Sequence, residues 1–127
     1  MEKSNDGFLV DRIKSINYAL KGACLLLKTE HAIISQSLIA VIFIIFGFIC
    51  GLTKTEWMFQ VFAIGLLLSI EGVNTAIEKL CDFIHPDYHK QIGFIKDISA
   101  GAVTFAAVSS AAIVLIIYYP YVYEKLF

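Results

Sequence analysis

Three long apolar runs constrain this 127-residue chain more than any other feature. They read HAIISQSLIAVIFIIFGFICGL (31–52), WMFQVFAIGLLLSIEGVNTAIEKL (57–80) and ISAGAVTFAAVSSAAIVLIIYYPYV (98–122). A helix needs about 20 mostly apolar residues to cross the hydrocarbon core of a bilayer. The composition agrees, with 58% hydrophobic residues and a mean hydropathy of +0.75. We therefore predict an all-α membrane protein with three transmembrane helices, which form a single membrane domain over residues 1–127.

Residues 8–28, ahead of the first run, have an amphipathic pattern. Ile13, Ile16 and Leu20 recur at helical spacing, and the lysines of the segment recur every seven residues on another face. This pattern predicts an amphipathic helix that lies in the membrane interface, with its lysines toward anionic headgroups. The alternative is an ordinary amphipathic helix packed against a protein core.

The basic residues predict the orientation of the chain in the membrane. Eight of the ten basic residues fall on one side of the predicted spans: Lys3, Arg12, Lys14, Lys21, Lys28, Lys79, Lys90 and Lys96. Only Lys54 and Lys125 fall on the other side. Because basic residues are enriched in cytoplasmic loops, we expect the amino terminus and the 81–97 loop to be cytoplasmic. The predicted location is the inner (cytoplasmic) membrane of the cell, as a multi-pass protein.

Charge and cysteine usage exclude other classes of function. The net charge of −1 gives no basic field for binding nucleic acid. The three cysteines, Cys24, Cys50 and Cys81, have no metal-binding spacing and are interpreted as small apolar residues.

A row of polar residues interrupts the second apolar run. Glu71, Asn74, Glu78 and Asp82 fall within roughly 80° of one another at about 100° per residue, so they share one face of a helix. An ionisable residue inside a span is costly and by default indicates a functional site. Glu71 lies deepest. The predicted topology also brings Glu30, Glu78, Lys96 and Asp97 to one membrane depth.

Carboxylates at one depth suit Mg²⁺, which proteins usually hold with one or two carboxylates plus substrate phosphates. A deeper carboxylate is suited to accept a proton from a lipid hydroxyl. Phosphoryl transfer needs mainly positioning and charge neutralisation, so the pattern suggests a lipid kinase, and the sequence has no P-loop motif. Two other classes remain open at this point: a proton or cation carrier that uses the intramembrane carboxylates, and a structural trimer whose carboxylates only form hydrogen bonds.

The stretch IEGVNTAIEKLCD, followed by PDYHKQIGFIKDISAGAV (86–103), resembles the signature of the prokaryotic diacylglycerol kinase family, which includes undecaprenol kinases. The segment from Tyr18 to Gly22, with Glu30 eight positions after the glycine, matches as well. The resemblance extends from about residue 8 to residue 120. It implies a homotrimer of three-span subunits with a surface helix, and an ATP-dependent, Mg²⁺-dependent kinase that phosphorylates diacylglycerol to phosphatidic acid. Undecaprenol is the alternative substrate.

The resemblance also implies roles for individual residues. Glu71 is expected to be the catalytic base and, with Asn74 and Ala100, to contact the lipid alcohol. Glu30 and Glu78 are expected to bind Mg²⁺ and, through it, the nucleotide. The remaining expected nucleotide contacts are Tyr18, Asp87, Tyr88, His89, Lys96 and Asp97.

The sequence departs from the family pattern at one position near the amino terminus. The family's diacylglycerol kinases have an arginine near the start of the surface helix, where an ungapped match places Asp11, with Arg12 adjacent. The segments KTE (28–30) and SAGAV (99–103) are also similar to the undecaprenol kinase branch.

Overall fold

The structure, a computed structural model, describes residues 7–126 and contains four α-helices in that range. Lys3, counted above among the basic residues, lies outside the described residues. The helices are α1 (Phe8–Thr29), α2 (His31–Cys50), α3 (Lys54–Ile84) and α4 (Lys90–Leu126). The last three are long and apolar enough to cross a membrane. The prediction of an all-α protein is therefore confirmed, and three of its helices are candidates to span a membrane.

Two of the helices are longer than the apolar runs that predicted them. α3 begins at Lys54 rather than Trp57 and ends at Ile84 rather than Leu80, and α4 begins at Lys90 rather than Ile98. Apolar content marks the part of a helix that suits lipid, whereas the helix itself continues through charged residues into water. At 1.5 Å per residue, the 31 residues of α3 span about 46 Å, well beyond the hydrocarbon core of about 30 Å.

A tight turn joins α2 to α3, and we call this end of the bundle the hairpin end. α2 ends at Gly51, whose φ of 68° lies in the left-handed region that glycine adopts without strain. α3 begins with a capping box: Thr53 accepts a hydrogen bond from the Glu56 backbone N–H, and the Glu56 carboxylate accepts one from the Thr53 N–H at 2.8 Å. Gly47 lies against the Trp57 ring, so the two helices approach closely here.

The opposite end, where residues 85–89 join α3 to α4, is called the loop end. The break between α1 and α2 lies at the same end. Glu30 forms it with an extended backbone conformation, φ −100° and ψ 109°. None of the residues of α1 is buried, and this helix contacts α2. Residues 8–28 are thus helical, while the location of α1 in the membrane interface stays a prediction.

The most extensive contact in the bundle is between α3 and α4. Ser99, Ala106 and Ser110 are the buried residues of α4 along this contact at the loop end and mid-bundle. The Ser110 hydroxyl donates a hydrogen bond to the Ala63 carbonyl at 3.0 Å. Small side chains let two helices approach closely in a membrane, where van der Waals packing replaces the hydrophobic effect between helices. This packing fixes the rotation of α3 and therefore the direction of its polar face.

Two polar clusters join the three long helices toward the hairpin end. Gln60, only 1% exposed, donates to the Phe43 carbonyl at 3.1 Å, and Tyr118 Oη lies 2.7 Å from Gln60 Oε1 and 2.9 Å from the same carbonyl. Closer to the turn, the Tyr121 hydroxyl donates to the Glu56 carboxylate at 2.8 Å. α2, α3 and α4 are therefore held together by hydrogen bonds near one end.

Candidate active site

Glu71 lies on the buried face of α3, with 8% of its surface exposed. Gln36, one turn into α2, donates a hydrogen bond from Nε2 to Glu71 Oε2 at 3.0 Å. The Oε1 atom of Gln36 is buried and has no hydrogen-bond partner within residues 7–126. Glu71, the predicted base, thus accepts a hydrogen bond from the neutral amide of Gln36, whose oxygen atom has no partner of its own in the described chain.

Asn74 continues this face one turn further along α3. It is 7% exposed, and its Nδ2 donates to Glu78 Oε1 at 3.1 Å. Its Oδ1 is buried without a partner in the described part of the chain. Glu78 itself is exposed. The polar face of α3 therefore runs from a sheltered carboxylate at Glu71 to an open one at Glu78.

Glu30 reaches α3 from the α1–α2 break. Its Oε1 accepts hydrogen bonds from the Thr29 hydroxyl at 2.8 Å and from Lys79 Nζ at 3.0 Å. These bonds, with the Lys79 bond having the larger effect, lower the pKa of the Glu30 carboxyl below its ordinary value. Because Lys79 follows Glu78 in the chain, the contact brings the two predicted metal ligands to the same level of the bundle.

Lys96 and Asp97 lie in the first two turns of α4 but differ in their contacts. Lys96 Nζ forms an ion pair with Asp82 of α3 at 2.5 Å. Asp97 is exposed and forms no ion pair within residues 7–126. The fourth residue of the predicted polar stripe, Asp82, therefore holds the lysine that was expected to contact the nucleotide.

The other predicted nucleotide contacts lie on α1 and in the loop that joins α3 to α4. His85 Nδ1 lies 2.8 Å from the Asp87 carbonyl, His89 accepts a hydrogen bond from the Gln91 N–H, and Tyr88 is almost fully exposed. Tyr18 of α1 is exposed, and Lys21 lies over its ring. In residues 7–126, no hydrogen bond joins Tyr18, Asp87, Tyr88 or His89 to Glu30, Glu71 or Glu78.

Ala100 and the residues near the amino terminus lie on the surface of the described chain. Ala100 is an exposed residue of α4, and its carbonyl accepts a hydrogen bond from the Thr104 hydroxyl. Near the amino terminus, the Arg12 guanidinium lies 5.2 Å from the centre of the Phe8 ring. Asp11, at the family's arginine position, lies on exposed α1 surface.

The carboxylates of α3 lie toward its loop end. At 1.5 Å per residue, Glu78 lies about 10 Å beyond Glu71 along the helix axis. Glu30, directly before the first residue of α2, lies at the same end of the bundle.

An apolar cavity of about 390 Å³ adjoins Gln36 and extends between α2, α3 and α4. Residues from all three helices line it, among them Phe43, Leu67 and Val114, and its polar lining residues are Gln36 and Ser110. The hydrogen bond from Gln36 to Glu71 thus lies beside an apolar space between the three long helices.

Gln36 and Lys79 are site residues that the sequence alone did not single out. The signal for Gln36 was a polar residue inside an otherwise apolar run, and the signal for Lys79 was a cation directly after a predicted metal ligand. Neither signal names the partner, because both contacts depend on how α2 and its amino-terminal break pack against α3.

The donor set fits a divalent cation of the Mg²⁺ type. Glu30 and Glu78 offer carboxylate oxygens, the ligands that Mg²⁺ prefers, and the Oε2 atoms of both accept no hydrogen bond within residues 7–126. No group of three or more His, Cys, Asp or Glu side chains among these residues forms a ready-made metal cage. Two carboxylates completed by substrate phosphates are the usual arrangement for Mg²⁺ in kinases.

The fold and the site define a class: a small multi-pass membrane protein with carboxylates at the end of its spans. Comparison with known proteins makes this specific. A model of the prokaryotic diacylglycerol kinase family matches residues 17–118, and the chain belongs to that family. It is a membrane-embedded kinase by this relationship, and the family resemblance expected from the sequence is confirmed.

Two relatives carry different names. The chain is 36% identical over 107 residues to the undecaprenol kinase of Bacillus subtilis, covering 84% of this chain and 87% of the relative. It is 31% identical over 98 residues to the diacylglycerol kinase of Haemophilus influenzae, covering 77% and 83%.

Proposed function

We propose that this protein transfers the γ-phosphate of ATP to the primary hydroxyl of a membrane lipid alcohol. The observation that carries the proposal is Glu71: a buried carboxylate toward the loop end of an apolar helix, bonded to Gln36, which lines an apolar cavity. A lipid alcohol has an apolar tail and one polar end, so it matches a site that changes from apolar to acidic over a few residues.

In the proposed reaction the hydroxyl oxygen attacks the γ-phosphorus, and the bond from that phosphorus to the bridging oxygen breaks. The electron pair of the broken bond leaves with ADP, and the hydroxyl proton passes to Glu71 as general base. Gln36 holds the Glu71 carboxylate in place through its 3.0 Å bond.

Glu30 and Glu78 are the proposed ligands of Mg²⁺, which when bound supplies charge neutralisation for the phosphates. Lys96 and Asp97, with Tyr18, Asp87, Tyr88 and His89, are the proposed nucleotide contacts. Lys96 starts from an ion pair with Asp82, so binding of phosphates requires it to exchange one anionic partner for another. Asn74 and Ala100 are proposed to face the lipid.

The first proposed lipid is diacylglycerol, which gives phosphatidic acid; the second is undecaprenol. The name of the family supports the first, and the 36% identical undecaprenol kinase supports the second. Purified protein with labelled ATP and Mg²⁺, given each lipid in a separate reaction, chooses between them. Transfer to neither lipid would remove the kinase proposal for both.

We also propose that the protein is a homotrimer of the cytoplasmic membrane, with its loop end facing the cytoplasm. The excess of basic residues around α1 and the 81–97 loop supports this orientation. Crosslinking of the detergent-solubilised protein tests the oligomer, and labelling of single cysteines in intact cells tests the orientation.

The decisive variant is Glu71→Gln, which keeps size and shape but removes the base. We expect turnover to fall by about 10²- to 10⁴-fold, with little change in ATP binding. Glu124→Gln, an exposed carboxylate near the hairpin end, is the matched control and should retain turnover. Near-normal turnover of Glu71→Gln would show that the base has been assigned wrongly.

A second variant tests the positioning role of Gln36. Gln36→Leu removes a hydrogen bond to a charged group, worth about 1.5–3 kcal/mol, which corresponds to about a 10- to 150-fold loss. We expect the loss in kcat, with an unchanged KM for ATP, because Gln36 is not among the proposed nucleotide contacts. Ser35→Ala, whose hydroxyl bonds only to its own helix, is the control. Loss confined to the KM for ATP would contradict the role.

A further inference from the structure

Lys79 has no role in the chemistry proposed so far, yet it contacts Glu30, a proposed metal ligand. Its Nζ lies 3.0 Å from Glu30 Oε1. The side chain of Lys79 is 66% exposed, whereas that of Glu30 is 20% exposed. The ammonium therefore reaches from water to a more sheltered carboxylate, and it joins α3 to the break between α1 and α2.

This contact occupies a carboxylate on which the proposed function places a divalent cation. Mg²⁺ binds carboxylate oxygens at 2.0–2.1 Å, closer than the ammonium does, and keeps a nearly rigid shell around itself. An ammonium on the same carboxylate would lie within a few ångströms of the metal and repel it. Even with the ammonium on Oε1 and the metal on the unoccupied Oε2, the two positive charges repel each other across one carboxylate, so each weakens the contact of the other.

We infer that Lys79 is a placeholder cation: it competes with the divalent cation for Glu30 and leaves the carboxylate when the metal binds. The inference rests on the proposed metal role of Glu30. In the metal-free protein, the Lys79 ammonium partly neutralises the charge of Glu30. Lys79 and Glu78 are consecutive residues of α3. Lys79 neutralises one proposed metal ligand, Glu30, and Glu78 is the other proposed ligand.

The exposure of Lys79 determines the size of the effect. Ion pairs with a well-exposed partner are weak, since water solvates the ammonium almost as well as the carboxylate does. The displaced side chain can turn into water without leaving a buried charge. Removal of the ammonium should therefore tighten metal binding by about two- to fivefold, which is the upper part of the range of exposed pairs converted at tenfold per 1.36 kcal/mol.

Binding of Mn²⁺ to the full-length protein in detergent, without ATP, measures the competition directly. Free Mn²⁺ is counted from its electron paramagnetic resonance signal during titration at fixed ionic strength. We compare the wild type with Lys79→Met and Lys79→Gln, which remove the ammonium, and with Lys79→Arg, which keeps a cation. Lys90→Met is the matched control, because it removes one exposed lysine at the same end that has no partner within residues 7–126.

We expect Lys79→Met and Lys79→Gln to bind Mn²⁺ about two- to fivefold more tightly, and Lys79→Arg and Lys90→Met to bind like the wild type. Equal tightening in Lys90→Met would overturn the inference, because the effect would then be one of general charge. Unchanged or weaker binding in both neutral variants would also overturn it.

Glu30→Gln separates the inference from the proposed function. If Glu30→Gln loses Mn²⁺ affinity while the neutral Lys79 variants match the wild type, the metal site stands and the competition is refuted. If Glu30→Gln binds Mn²⁺ like the wild type, Glu30 is not a ligand, and both proposals fail at that residue. A drop in ATP affinity in the neutral variants, with Mn²⁺ affinity unchanged, would instead make Lys79 a phosphate contact and refute the placeholder.

Discussion

Removal of one hydroxyl group tests the polar cluster that joins the long helices. In Tyr118→Phe the ring remains against Phe43, with centroids 5.6 Å apart, but the donor to Gln60 Oε1 at 2.7 Å is lost. Interhelical hydrogen bonds in membrane proteins contribute about 0.6 kcal/mol on average and up to about 1.7. Gln60 is only 1% exposed, so its orphaned oxygen adds a desolvation cost of about 1–3 kcal/mol.

We therefore expect Tyr118→Phe to lower the free energy of unfolding by about 2 kcal/mol. The assay is reversible unfolding in mixed micelles as the fraction of dodecyl sulfate rises, followed by the loss of helical circular dichroism. Tyr119→Phe is the matched control, because Tyr119 is exposed and forms no hydrogen bond in the described chain; its change should stay below about 0.5 kcal/mol.

A double-mutant cycle sharpens the test. Adding Gln60→Leu removes the orphaned acceptor, so the double variant should be destabilised by less than the sum of the two single variants. The reasoning would be refuted if Tyr118→Phe were as stable as Tyr119→Phe, or if the two single effects were simply additive.

Two further predictions concern packing and pH. A Cβ at Gly47 would come within 2.7 Å of the Trp57 ring, so Gly47→Ala should lower the free energy of unfolding by about 1–3 kcal/mol in the same assay. Gly65→Ala is the control, because a Cβ there would have nothing within 4 Å and should not destabilise the protein. Equal effects of the two variants would contradict the close approach of α2 and α3. The lowered pKa of Glu30 means that its bond to Lys79 stabilises the protein above the ordinary carboxyl pKa of about 4.5 and is lost as pH falls through the lower folded value. The stability difference between wild type and Glu30→Gln should accordingly shrink as the pH falls below 4.5, and a difference that stays constant down to full protonation of the carboxyl groups would contradict this origin.

The sequence predicted the number and order of the helices better than it predicted where α3 and α4 begin and end. Apolar runs of 20 residues or more leave a membrane helix as the only simple solution, because every backbone polar group must be satisfied within the span. The start of α4 was placed at Ile98 because the hydropathy rises there, whereas the helix begins at Lys90. Charged residues end the lipid-compatible segment without ending the backbone hydrogen bonds.

The candidate site was predictable along one helix but not between helices. Helical spacing alone put Asn74 beside Glu78, and the structure has the hydrogen bond between them. The contacts of Gln36 with Glu71 and of Lys96 with Asp82 depend on the relative rotation of packed helices, which small residues such as Ser110 set by permitting a close approach. A single sequence does not encode that rotation in any local pattern.

The position of Glu56 has a consequence for motion. One carboxylate oxygen of Glu56 accepts hydrogen bonds from the Thr53 backbone, the Thr53 hydroxyl and the Tyr121 hydroxyl, all at 2.8–2.9 Å, and so ties α4 to the α2–α3 turn. The loop end is joined instead by ion pairs of partly exposed lysines, which exchange readily with water. Any opening of the helix bundle should therefore pivot about the Glu56 end, with its amplitude growing toward residues 85–89.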